Sequence, residues 1–439
     1  MSAAVALRVD LTHLLGLRAP SRAERMLRAL LAAAVVGCAL LVLTQLVVAP
    51  LTGSFGGAFE DFGPLLSAGH AANTGADVYG GFVARSSSHL VTDLGFDYPP
   101  LVAFLLRPLA AMPHQVAVAA WLWTILASSV AGCILIAREV LPESWPRTAV
   151  GFCAAVCFAP VIYNVFHGQM NAVVFLTLAL ALRAWMRGDQ VGCGIALGAG
   201  AALKVAPVAL LVLLVRRRWW RGTAAAAATV AASLVAGGVL VSFDSVREWF
   251  TQVLPVLSRD DGWYFNQGWN AVVNRVADHD VFALEAPRAW IHPLVLAISA
   301  AGLVAAAWLV RTGAASPERR SLEFAAGVTA MVLAGTVSWY SAYIHLALPL
   351  LVVLGVLARR EHLGRALAGG SIACLAISGL AVPLFLGAGG KDWVVAQHGT
   401  PMWWPALQVV SVPAYAAAGF LIVLLGALRR PQGRARLSS

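Results

Sequence analysis

Charged side chains are scarce in this sequence: they make up 12% of its 439 residues, about half the share of an average soluble domain. With 60% hydrophobic residues and a mean hydropathy of +0.78, that scarcity argues against a soluble fold. Cysteine is also sparse. The six present (Cys38, Cys133, Cys153, Cys157, Cys193, Cys374) all lie in or against apolar stretches, so neither a disulfide framework nor a thiolate metal site is expected. Cys153 and Cys157 share a helix face, but without His or carboxylate partners the pair reads as packing. There is no glycine-rich phosphate loop and no ligand cluster, so no cofactor and no metal are expected.

Long apolar runs are abundant. A helix needs about 20 mostly apolar residues to cross a hydrocarbon core of roughly 30 Å. Ten stretches qualify, at 27–49, 114–137, 148–166, 169–186, 222–243, 290–311, 321–338, 342–358, 366–388 and 405–428. The chain therefore reads as one integral membrane domain over 1–439, an all-α polytopic protein with about ten spanning helices and shorter re-entrant or interfacial ones. The first stretch follows Arg18, Arg22, Arg25 and Arg28; it is too long for a cleaved signal and reads as a retained anchor.

The net charge of +10 would suggest nucleic acid in a soluble protein, but its placement gives another answer. With both termini cytoplasmic, 23 of the 31 Lys and Arg fall on the inner side, including Arg138, Arg183, Arg187 and the Arg216–Arg218 run. This is the positive-inside pattern of a multi-pass inner-membrane protein. No nucleic-acid partner is expected. The large loops, 50–113 and 244–289, then face outward and are rich in acids and aromatics, which suit sugar hydroxyls and pyranose faces. An interfacial aromatic belt with solvated acids is the plainer reading.

Two regions break the regular pattern. Residues 191–215 must start and finish in the cytoplasm, so they form a re-entrant hairpin, with small residues, Lys204 and Pro207 at its middle. Pro99–Met112 is too short to span and is expected to enter the outer leaflet and return. Irregular backbone at membrane depth survives only against protein or a water-filled cavity. A Lys near the bilayer centre costs about 2.5–3.5 kcal/mol on insertion scales, so Lys204 faces a cavity or a partner, unless it snorkels to the basic edge. Asp61 stands beyond the first span at the head of an amphipathic segment, where partial desolvation would let a carboxylate act as a general base. His167, Gln169 and Asn171 occupy the next outer junction, and His345 lies near the outer end of its span. With Lys204 these groups could surround an anionic group reaching down from the outer leaflet.

Taken in order, these pieces resemble the GT-C class of polyprenol-phosphate-sugar-dependent glycosyltransferases, specifically family 87, which includes actinobacterial mannosyltransferases acting on phosphatidylinositol mannosides and lipoglycans. The matching segments are Glu60-Asp61-Phe62 through His70 to Asp77 and Tyr79, then Phe96-Asp97-Tyr98-Pro99-Pro100 and His167-Gly168-Gln169-Met170-Asn171. Lys204 through Pro207, the basic Arg216–Trp220 stretch, Asn266-Gln267-Gly268-Trp269-Asn270, and Ser338-Trp339 ahead of His345 follow. The likeness runs over nearly the whole chain. Two features depart from it: a single histidine follows Ser338-Trp339 where relatives often have a pair, and Asn266-Gln267 is followed by Gly268-Trp269 where Asn-Gln-Ser is commoner.

The resemblance implies a GT-C fold with its active site on the outer side. It implies Asp61 as the base, with Glu60 as rival, and Lys204 and His345 on the donor phosphate. Substrate contacts are expected from Glu60, Tyr98, His167, Gln169, Asn171, Asn266, Gln267 and Trp339. The expected partners are a polyprenyl-phosphate-sugar donor, most simply a mannosyl one, a glycolipid or lipid-linked glycan acceptor, and membrane lipids. A decaprenyl-phosphate-arabinose donor is the alternative within the family. Outside it stands a secondary transporter, which broken helices and a midplane Lys also fit; neither an internal repeat nor an acid deep in a span supports that reading.

Overall fold

The computed structural model describes residues 61–80, 95–258, 262–278, 288–359 and 404–429. Among them every regular element is a helix, and one isolated antiparallel bridge pairs Asn266 with Trp339. The expected spans 27–49 and 366–388, and Glu60, lie outside the described residues.

Chain order begins with α1 (Phe62–Thr74), α2 (Pro100–Ala110) and α3 (His114–Val140). The sequence 147–167 forms α4 (Arg147–Cys157) and α5 (Ala159–His167), bent by 59° where Pro160 enters. Then come α6 (Asn171–Arg187), α7 (Gln190–Leu203), α8 (Leu211–Arg216) and α9 (Trp220–Leu240). After a run of short turns the chain continues with α10 (Trp269–Asp278), α11 (Ile291–Trp308), α12 (Pro317–Ala334), α13 (Ala347–Arg359) and α14 (Trp404–Arg429). Among the described residues, five segments are long and apolar enough to cross a membrane: α3, α9, α11, Tyr340–Arg359 and Ser411–Arg429; the bent α4–α5 pair makes a sixth. The expected spans at 169–186 and 321–338 fall on α6, which has 17 residues, and α12, whose first two turns carry Glu318, Arg319, Arg320 and Glu323.

Those charges in α12 are satisfied inside the protein. Glu323 is buried and accepts from Arg319 Nε at 3.1 Å, Arg217 Nη1 at 3.2 Å and the Arg311 amide at 3.0 Å. Arg319 also donates to the carbonyls of Leu309 and Leu428, both at 2.8 Å. Glu323 and Arg319 together thus tie the Arg-rich ends of α8, α11, α12 and α14. A buried charge survives because it is paired and fully hydrogen-bonded.

The segment at 191–215 turns back on itself. Helix α7 ends at Lys204, which is extended (φ −153°, ψ 127°), and a 3-10 turn over Ala206–Leu210 leads into α8. Pro207 cannot continue the α7 ladder, and it folds against Gly200, where an added Cβ would stand 3.2 Å from its Cγ. Both ends return to the start of α9: a Cβ on Gly222 would meet the Gln190 carbonyl at 2.6 Å and Leu214 Cδ1 at 3.6 Å. Gly194 lies against the Gly222 backbone so closely that no Cβ fits. Small residues let the helices touch backbone to backbone, as membrane helix pairs do when packing must replace the hydrophobic effect. The far end of α9 meets the start of α2 at Gly237 and Leu101. The Lys204 turn lies beside the Phe96–Pro100 segment, with Lys204 Nζ 5.7 Å from the centre of the Tyr98 ring.

Candidate functional site

Asp61 occupies the N-cap position of α1, yet its carboxylate makes no capping bond to its own helix. Its backbone amide donates instead to the His167 carbonyl at 3.3 Å. Trp121 of α3 fixes this approach by stacking on Phe62 (ring centres 5.6 Å apart) and donating from its indole to the Gly168 carbonyl at 2.7 Å. Gly168 adopts φ +71° between α5 and α6, a conformation that favours glycine. That turn aims Gln169 at Asp61.

A continuous polar chain follows. Gln169 Nε2 donates to Asp61 Oδ2 at 2.7 Å, and Gln169 Oε1 accepts from the Tyr98 hydroxyl at 3.2 Å. Asn171 Nδ2 lies 3.5 Å from the same Oε1 and 3.2 Å from Ser341 Oγ, while Lys204 Nζ donates to Asn171 Oδ1 at 3.0 Å. His167 Nδ1 is 3.9 Å from Asp61 Oδ2. Asp61, Tyr98, His167, Gln169, Asn171 and Lys204, picked out separately along the sequence, are therefore one constellation. Burial raises the Asp61 pKa above the ordinary carboxylate value, opposed by the Gln169 hydrogen bond and by the positive charge of Lys204.

Lys204 and Asn171 open into a cavity of about 510 Å³ that Asp97, Tyr98, Ser338 and His345 also line. His345 sits in the 3-10 turn Tyr340–Leu346 that precedes α13; it is buried, and its Nδ1 has no hydrogen-bond partner. Beyond this polar end the walls become apolar, with Val208, Leu254, Leu257, Leu296, Leu303 and Val332. Leu296 and Val208 are 50% and 41% exposed while forming cavity wall, so the cavity opens on the apolar flank of the molecule. Asp97 is the member that sequence reasoning left out of the site. Burial pushes its pKa up to about 6, with Lys204 pulling it down and Asp61 pushing it up. Its only distinguishing signal was its place in the Phe96-Asp97-Tyr98 segment, among several other loop acids.

Asn266, Gln267 and Trp339 lie apart from the cavity wall. Asn266 Oδ1 accepts from the amides of Gly268 and Ser338, both at 3.1 Å, and its Nδ2 donates to the Thr336 carbonyl at 2.8 Å. The Gln267 backbone accepts from the Tyr343 hydroxyl at 2.9 Å. These residues fasten the segment before α10 to the one before α13. The Trp339 indole nitrogen is buried without a hydrogen-bond partner. Among the described residues no group of His, Cys, Asp and Glu could hold a metal ion.

Comparison with known proteins adds an independent finding. The profile described as Glycosyltransferase family 87 matches residues 96–336, more than half of the chain. A polyprenol-phosphate-mannose-dependent alpha-(1-2)-phosphatidylinositol pentamannoside mannosyltransferase of Mycolicibacterium smegmatis is 27% identical over 195 residues, covering 43% of this chain and 45% of its own length. A polyprenol-phosphate-mannose-dependent alpha-(1-2)-phosphatidylinositol mannoside mannosyltransferase of Mycobacterium tuberculosis is 26% identical over 377 residues, covering 80% and 81%. In the first match, and in one to a Mycobacterium tuberculosis pentamannoside mannosyltransferase, this chain spans about half the relative's length.

Proposed function

Because this chain belongs to glycosyltransferase family 87, we propose that it moves a sugar, mannose in the simplest case, from a polyprenyl-phosphate donor to a glycolipid or lipid-linked glycan acceptor at the outer face of the inner membrane. The observation that carries this reading is the two-ended cavity. Its polar end holds Lys204 and His345, its apolar end opens sideways, and Asp61 is tied to Lys204 through Gln169 and Asn171. A lipid-borne sugar phosphate has the same two-ended character.

In this reading, residues 191–215 are a re-entrant hairpin whose tip carries Lys204 to the donor phosphate. Asp61 takes the proton from the acceptor hydroxyl. The hydroxyl oxygen attacks the anomeric carbon from the face opposite the phosphate. The bond from that carbon to the phosphate oxygen breaks, and its electron pair leaves with the polyprenyl phosphate. Lys204 and His345 stabilise the negative charge that gathers there. Attack from the opposite face inverts the centre, so a β-mannosyl donor gives an α-mannoside. Raised by burial, the Asp61 carboxylate is a stronger base than one in water.

The test is direct. Membranes bearing the protein should convert a polyprenyl-phosphate-mannose donor and a glycolipid acceptor into a new mannoside. Asp61→Asn should lower the rate by about 10²–10⁴ at normal expression, and Lys204→Ala should weaken donor use. A panel including an arabinosyl lipid donor identifies the sugar. Failure to form a glycosidic bond with any lipid donor would sink the proposal, and normal turnover by the Asn variant would remove Asp61 from the role of base.

A further inference from the structure

A second concavity lies far from the polar chain, at the Arg-rich ends of α3, α4 and α6. It has a volume of about 1130 Å³, and Arg138, Arg147, Arg183 and Arg187 line it from three different helices. Its facing acids are Glu139 and Glu143. Glu143 is 95% exposed and stands 3.6 Å from Arg147, so water weakens its hold. Glu139 is 15% exposed, and one of its oxygens serves both Arg183, at 3.4 Å, and Arg187, at 3.1 Å. Arg138 donates to Thr148 Oγ1 at 3.3 Å, and Arg147 donates to the carbonyls of Pro142 and Arg138. Each guanidinium carries five N–H donors, so four of them far outnumber these acceptors. The concavity holds an excess of two positive charges and many unused donors in the fork geometry that suits phosphate oxygens.

Part of the wall is apolar. Ala131, Ile134 and Leu135 on α3 continue from the arginines into a helix long and apolar enough to cross the membrane. A free anion would use the arginines and leave that wall bare. An amphiphile with a phosphate at its head uses both.

We propose that this concavity binds the phosphodiester headgroup of an anionic membrane phospholipid, with its acyl chains along the apolar wall of α3. The four arginines take the phosphate, and Glu139 is the resident competitor that holds Arg183 and Arg187 when the lipid is absent. Basic pockets between membrane helices at the cytoplasmic edge are suited to such headgroups. The site is independent of the sugar-transfer reading, because none of its residues lines the first cavity.

The experiment is lipid titration of the full-length protein in mild detergent, read by native mass spectrometry. The probes are phosphatidylglycerol, phosphatidylcholine with matched acyl chains, and inorganic phosphate. The wild type should hold phosphatidylglycerol about tenfold more tightly than phosphatidylcholine. Arg183→Gln with Arg187→Gln should bring the two lipids level. Glu139→Gln should instead strengthen phosphatidylglycerol binding several-fold, a gain that a damaged fold would not produce. Equal retention of both lipids by the wild type would overturn the proposal, as would phosphatidylglycerol binding that ignores both variants. Displacement of phosphatidylglycerol by millimolar inorganic phosphate would assign the arginines to a free anion, also against the proposal.

Discussion

At the scale of single residues, two carboxyls with raised pKa values make separable predictions. Asp61 can accept a proton only when ionised, and burial lifts its pKa above the ordinary value. Turnover should therefore fall on acidification with its midpoint above the usual carboxylate range of about 4. A pH–rate profile of sugar transfer reads this, and a midpoint at the ordinary value would contradict a desolvated base. Asp97, at about 6, bears on stability instead. Its folded-state pKa lies above the unfolded one, so its contribution is fully present below about 4 and is lost as pH rises through about 6. Asp97→Asn should accordingly raise Tm by a few degrees at pH 7.5, with the difference closing at pH 4.5. Thermal unfolding in detergent at the two pH values checks it; a pH-independent difference would show that the carboxyl is well solvated. Lys204 stood out in the sequence because a cation in an apolar run needs an explanation, and Asp61 because of its place before an amphipathic stretch. Asp97 was hidden for a physical reason. Acids crowd the two long loops at 50–113 and 244–289, and only the tertiary fold selects the one that lines the cavity with the half-buried Lys204.

At the scale of elements, hydropathy finds helices wherever lipid or core surrounds them, and it loses their ends where charge is neutralised internally. The 321–338 span was read too far along because Arg319 and Arg320 look like a solvated edge; in the fold α12 begins at Pro317, and Glu323 holds Arg319 and Arg217. Arg275 shows the same effect. It lies in the 244–289 stretch that the sequence reads as a loop, yet it is fully buried and donates to the carbonyls of Gly262, Trp263 and Asn266. The break at Lys204 and Pro207 was legible because it rests on local chemistry. The closeness of α7 to α9 was not, since glycine spacing does not name its partner. Gly194→Val puts a branched side chain where the Gly222 backbone lies, and overpacking of this kind costs about 1–3 kcal/mol or more. The variant should unfold at a lower temperature and lose donor affinity, because α7 carries the Lys204 tip. Gly63→Ala, where nothing stands within 4 Å of the new Cβ, should leave Tm unchanged or raise it slightly, since Ala favours a helix over Gly; equal losses from both would mean that the close approach at Gly194 is not what the valine disrupts.

At the scale of the whole molecule, the membrane supplies the direction along which the cavity is polarised. A soluble enzyme must bring its substrate through water, whereas here the mouth bounded by Val208 and Leu296 lies on the apolar flank. On the proposed function, the lipid chain lies along that mouth while the sugar phosphate stays at Lys204. Chain length and chemistry are then recognised at different ends, and a substitution at the mouth should separate them. Ala300 lines the cavity on α11 one turn from Leu296 and is exposed at that flank. Ala300→Phe adds a ring in the path of the chain without touching the polar end. With a long polyprenyl donor KM should rise about tenfold, the loss that a few displaced methylenes produce, while kcat stays within about twofold. With a donor shortened to two isoprene units, whose chain need not reach the mouth, KM should match the wild type. Steady-state kinetics with the two donors decide the matter. Parallel losses would mean that the ring has disturbed the fold, whereas unchanged KM for both would move the lipid chain elsewhere on the protein.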